Sequence, residues 1–142
     1  MAAVFTTKEI ASSLGEMEWF SSTGGNPVSC AIGNAVLDVI EYEGLQEQAK
    51  EHGEYFLNGL RKLKESYPAI GDVRGRGLML GLKCVGKNAH FIDMCRKEKL
   101  LLVPGASNTV RILPPLTITY KEIKEAIIRL ERALLEMRKF NE

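Results

Sequence analysis

The chain predicts an α+β fold, a small antiparallel sheet with helices packed on one face. Three observations lead there. Apolar residues recur at helical spacing through residues 28–66, the period changes to alternation over Leu78–Val85, and one apolar stripe runs from Ile123 to Met137 near the end. The resulting order is helices, strands, helix, strands, helix. A length of 142 residues suits one domain with a real core, and 45% hydrophobic with 26% charged residues argues against disorder.

In order along the chain, Met1–Phe5 is a short apolar run that reads as a buried strand cut from something larger. Thr6 or Thr7 caps a brief helix through Leu14. Trp19-Phe20 in the following connection either walls a ligand cavity or anchors a loop. Asn26 is an N-cap, and Pro27 occupies the first helical position. The helix it opens carries Cys30, Ile32, Val36, Leu37, Val39 and Ile40, with Cys30 expected in the core. Gly44 breaks the pattern. A second helix spans Leu45–Ser66, its inner face formed by Leu45, Ala49, Phe56, Leu60 and Leu63, and Tyr67-Pro68 ends it.

Ile70–Val85 reads as two short strands turning through glycines. Asn88 is placed to cap a helix over Ala89–Glu98. Leu100–Val103 reads as a buried strand, Pro104–Asn108 as a turn and Thr109–Leu113 as a further strand stopped by Pro114-Pro115. Thr119 and Glu122 form a capping box for the last helix. No repeat, low-complexity tract or internal linker interrupts this order.

Several function classes fall away. A net charge of +1 gives no bulk field to recruit nucleic acid or an anionic membrane. No apolar run approaches the roughly 20 residues of a membrane span, and the first residues lack a secretory pattern, so a cytoplasmic-type protein is expected. Cys30, Cys84 and Cys95 have neither CxxC nor Cys/His ligand spacing and read as buried free thiols. His52 and His90 have no nucleophile or carboxylate at a diagnostic spacing and read as structural or surface groups. Gly75-x-Gly77 lacks the strand–glycine–helix context of a dinucleotide site and reads as a β-turn.

Two features keep a functional reading beside a plain one. Ser21, Ser22 and Thr23 stand next to a helix start whose N–H groups and dipole favour an anion such as phosphate. The plain reading is a helix-capping loop. Arg111, in mid-strand, suits bidentate recognition of a carboxylate. Its plain reading is an edge-strand arginine pointing to water or paired with an acid.

Phe20-Ser21-Ser22-Thr23-Gly24-Gly25-Asn26-Pro27, running into Ala35-Val36-Leu37-Asp38-Val39-Ile40, resembles the later part of class III pyridoxal-phosphate aminotransferases. Val73–Gly81 matches that family's small-domain signature, and Val110–Thr119 is similar to the end of acetylornithine and ornithine aminotransferases. The resemblance runs through essentially the whole chain in order. It implies the C-terminal small domain of a fold-type I enzyme, with residues 1–27 a remnant of the large cofactor domain and its connecting loop, and residues 28–142 the small domain with its leading interdomain helix.

The resemblance also implies roles. A hydroxyl at Ser22 contacts the cofactor phosphate of the partner subunit, which makes the complete enzyme a homodimer. The family carries a threonine followed by an aromatic there, whereas this chain has Ser22 followed by Thr23, so both hydroxyls are candidates. Arg111 matches the arginine that binds a substrate carboxylate. The Schiff-base lysine and the acid facing the pyridine nitrogen would both precede residue 1, and no lysine present, Lys8 included, matches the Schiff-base position. The expectation is therefore a chain that lacks its large domain and is not an aminotransferase alone. The complete enzyme would exchange an amino group between an amino acid and a 2-oxo acid. The rival is a stand-alone α+β module that binds an anionic small molecule or mediates dimerisation. Either reading leaves an apolar patch around Met1–Phe5 and Val28–Val39 exposed.

Overall fold

The computed structural model describes residues 4–15 and 21–139. The expectations for Met1–Ala3 and for Trp19-Phe20 lie outside the described residues. The chain divides into two compact units, Met1–Glu43 and Gly44–Glu142.

In the first unit Val4 and Phe5 belong to no strand and are 91% and 94% exposed, so the expected buried strand is absent from its described part. A strand needs a hydrogen-bonded neighbour, and these two residues have none among the described residues. Helix α1 (Lys8–Ser12) starts at Thr7, whose hydroxyl accepts the Ile10 N–H at 3.3 Å. Helix α2 (Pro27–Tyr42) starts at Asn26, whose Oδ1 accepts the Ser29 N–H at 2.9 Å, with Pro27 in its first turn as its fixed φ allows. No residue of α2 is buried. Val28 is 69% exposed, Ile32 59% and Val36 51%, and Cys30 is half-buried rather than in the core. The apolar stripe was read correctly from the period. The period names the face, whereas burial also needs a covering surface.

The second unit begins at Gly44, whose left-handed φ of +62° lets the chain turn into α3 (Leu45–Ser66). Strands β1 (Ile70–Arg76) and β2 (Met79–Cys84) form an antiparallel hairpin through Gly77-Leu78. Helix α4 (Asn88–Lys97), strand β3 (Val103–Pro104), strand β4 (Thr109–Ile112) and helix α5 (Tyr120–Lys139) complete it. The sheet order is β1-β2-β4-β3, antiparallel throughout. Helices α3 and α4 pack over one face of the sheet, and α5 packs against both helices. Phe56, Leu60, Leu82, Phe91, Val110, Ile123 and Leu130 make the centre of the core, each 2% exposed or less. Burying one such side chain contributes about 1.5–3 kcal/mol.

Glycine governs one contact. A Cβ at Gly53 of α3 would stand 2.2 Å from the Gly77 carbonyl oxygen, so the helix meets the hairpin turn backbone to backbone. The Gly75-x-Gly77 stretch is thus the expected turn, with Gly77 at a φ of +53°. Two expectations are corrected. Leu100–Leu102 is not a strand: only Val103-Pro104 pairs with β4, and Leu101 is 84% exposed. The Leu100 N–H is taken by the Cys95 carbonyl at 2.9 Å, which commits this stretch to finishing α4. Asn88 does not cap α4; Lys87 holds that position without a side-chain bond, and Asn88 Nδ2 donates instead to the Thr109 carbonyl at 3.0 Å. The capping box of α5 forms as expected, with the Thr119 N–H to Glu122 Oε2 at 2.8 Å and the Glu122 N–H to Thr119 Oγ1 at 3.3 Å.

Candidate functional site

Ser22 and Thr23 share one turn of the first unit. The Asn26 side chain sets that turn: Nδ2 donates to the Thr23 carbonyl and to Ser29 Oγ, each at 2.8 Å, while Gly25 takes a left-handed φ of +71°. Asn26 is therefore occupied on both its amide atoms. The Ser22 and Thr23 side chains are exposed, and no hydrogen bond among the described residues engages either hydroxyl. Two free hydroxyls beside a 16-residue helix start are a donor set that fits a phosphate, both by hydrogen bonding and by the helix dipole.

Arg111 stands in the second unit. β4 is an interior strand, flanked by β2 and β3, so Arg111 is not at a sheet edge. It lies opposite Gly81 on one side and Val103 on the other. Its neighbours Val110 and Ile112 face the core at 0% and 5% exposed, which leaves Arg111 on the open face with Arg74 and Lys83. None of the ion pairs among the described residues includes it. A Cβ at Gly105 would come within 3.2 Å of Arg111 Cγ, so the arginine stem passes over bare backbone. A guanidinium on a rigid interior strand, without an acid partner, is available to a carboxylate.

Other groups contribute less. A cavity of about 340 Å³ lies under the β4–α5 connection, lined by Phe56, Leu102, Ile112, Pro114, Ile118 and Leu130 among others, and Arg111 does not line it. His52 is half-buried, edge-on to Tyr120 with ring centroids 4.3 Å apart, and His90 is exposed. Cys84 and Cys95 are buried free thiols, as expected. Among the described residues no group of His, Cys, Asp and Glu is placed to hold a metal, and no helix is long and apolar enough to cross a membrane. Sequence reasoning read Pro104–Asn108 only as a turn and did not place Gly81 opposite Arg111 or Gly105 against its stem. The Ser107-Asn108 pair was the available signal, since asparagine favours tight hairpin turns.

The antiparallel sheet is covered by helices on one face and carries Arg74, Lys83 and Arg111 on the other. The sequence pattern of the class III aminotransferases matches residues 1–134, and the chain belongs to that pyridoxal-phosphate family. Acetylornithine aminotransferase 2 of Caulobacter vibrioides is 38% identical over 134 residues, covering 94% of this chain and 33% of the relative. Mitochondrial alanine–glyoxylate aminotransferase 2 of Homo sapiens is 40% identical over 150 residues, covering 96% and 29%. Among solved structures, the PLP-bound amine transaminase of an uncultivated Pseudomonas species superposes with a TM-score of 0.78 at 31% identity, covering 85% of this chain and 30% of that one. The chain thus spans about a third of the length of the relatives it matches.

Proposed function

We propose that residues 28–142 are the C-terminal small domain, with its leading helix, of an acetylornithine/ornithine-type aminotransferase, and that residues 1–27 belong to the border of the large cofactor domain. The complete enzyme moves an amino group between an amino acid and a 2-oxo acid such as 2-oxoglutarate. Arg111 carries the reading: an exposed guanidinium on an interior strand, with no acid partner among the described residues. It binds the substrate carboxylate through paired N–H···O bonds and so fixes which way the substrate presents its amino-bearing carbon.

Ser22 and Thr23 hold the cofactor phosphate. By the family resemblance this contact reaches the partner subunit, and the working enzyme is a homodimer. Pyridoxal phosphate, when bound, would supply the electron sink for bond cleavage at the substrate's amino-bearing carbon. This chain supplies orientation and anion binding; the lysine that links the cofactor comes from the large domain. Alone, the 142-residue chain turns over no substrate.

Steady-state kinetics of the complete polypeptide test the reading. Arg111→Leu is expected to raise KM for both carboxylate substrates about tenfold to a hundredfold, the worth of a hydrogen bond to a charged group. Unchanged KM values would contradict it. The reading frame separates the rival: an upstream segment bearing the cofactor-linking lysine supports this proposal, whereas a true start codon at Met1 favours a stand-alone anion-binding module.

A further inference from the structure

Three residues before Arg111 the chain is tied into a knot of hydrogen bonds. Ser107 and Asn108 have φ of +54° and +59° and form the centre of a type I′ turn, with the Thr109 N–H donating to the Ala106 carbonyl at 3.2 Å and the Gly105 N–H to the Thr109 carbonyl at 2.7 Å. The turn fixes β4 against β3. β4 pairs with β2 over Leu80–Lys83, and the Asn108 side chain pins the end of that ladder. Its Nδ2 donates to the Cys84 carbonyl at 2.8 Å and to the Gly86 carbonyl, and its Oδ1 accepts the Asn88 N–H at 2.9 Å. The Asn108 carbonyl accepts the Cys84 N–H at 3.0 Å, and Asn88 Nδ2 returns to the Thr109 carbonyl at 3.0 Å. One side chain thus joins the end of β2, the start of α4 and the start of β4.

Register is what this arrangement protects. Side chains along a strand alternate between faces, so a slip of one residue would turn Arg111 into the core and bring Val110 and Ile112 out. Smaller shifts would move the guanidinium along the open face, where Gly105 and Gly81 offer no side chain to stop its stem. We infer that Asn108 is a positioning residue for Arg111: its hydrogen bonds set the point on the sheet from which the guanidinium meets a substrate carboxylate. The inference rests on the reading of Arg111 given above.

The test compares two amino donors in the complete, cofactor-loaded enzyme: an amino acid, and a primary amine without a carboxylate. Asn108→Gly keeps the turn, because glycine adopts a left-handed φ freely, and removes only the side-chain bonds. The expected result is a loss of about tenfold in kcat/KM for the amino acid, in line with the cost of slight misplacement, and little change for the amine. Equal losses on both donors would make Asn108 a structural residue and overturn the inference. Arg111→Leu run in parallel separates the two claims. If it leaves the donor ratio unchanged, the reading of Arg111 fails; if it shifts the ratio while Asn108→Gly does not, only the positioning role fails. Asn88→Ala, which loses the bond to the Thr109 carbonyl alone, is expected to shift the ratio the same way but less, and an unshifted ratio counts against the knot. In the complete enzyme, Asn108→Gly is expected to speed hydrogen exchange of the Val110–Ile112 amides, and unchanged exchange would contradict the inference without reference to activity.

Discussion

Cys84 and Cys95 show what burial does to a single group. Burial pushes the Cys84 thiol up from its ordinary range, and burial with the neighbouring Cys84 and Glu98 pushes Cys95 up to about 12. The thiolate is the reactive form, so both are inert while the chain is folded. Alkylation under native conditions is expected to modify half-buried Cys30 first and to reach the other two only on unfolding; equal rates at all three would contradict this burial. The sign of the pH effect follows. The unfolded Cys95 thiol ionises near pH 9 while the folded one stays protonated to about 12. Its contribution is thus complete below pH 9 and is lost as pH rises toward 12, which denaturant titrations at pH 8 and pH 10 would reveal. Gly53 gives a steric counterpart. Its Cβ position overlaps the Gly77 carbonyl, so Gly53→Ala must push α3 off the hairpin and is expected to cost about 1–3 kcal/mol by denaturant unfolding.

Helix α5 and helix α2 show opposite outcomes of one sequence signal. The capping box of α5 was legible because both partners lie three residues apart. Hydrogen bonds from the Thr119 backbone and side chain hold the Glu122 carboxyl below its ordinary range. The stabilisation is therefore present above the usual carboxylate range and fades as pH falls through the lowered value. Circular dichroism across acid pH should show Glu122→Gln flattening that dependence. The stripe on α2 was equally legible, yet its burial was not, since periodicity names a face without naming what covers it. Val28, Ile32, Val36 and Val39 remain exposed and make concentration-dependent self-association the expected behaviour. Sedimentation should show Ile32→Glu/Val36→Glu as the more monomeric form, and a wild-type chain monomeric at high concentration would contradict it. The leucine run at residues 100–102 misled for a related reason: strand propensity decides little without a neighbouring strand.

For the whole molecule, the sequence carried the α3–β1–β2 order, the position of Arg111 and the closing helix, all of which rest on local period and turn chemistry. It did not carry facts that depend on distant partners. Asn88 looked like a cap because its neighbours are helical, and only the fold brings the Thr109 carbonyl to its amide. Arg111 looked equally suited to an edge or to a ligand, and only the sheet order places it inside without an acid. The proposed division of labour puts anion-binding groups in this chain and the cofactor-linking lysine elsewhere. Borohydride trapping tests it most directly: the 142-residue chain is incubated with pyridoxal phosphate, reduced, and its adducts mapped by peptide mass. Scattered or absent labelling is the predicted result. Stoichiometric labelling of one lysine would show a cofactor-linking site within these residues and contradict the claim.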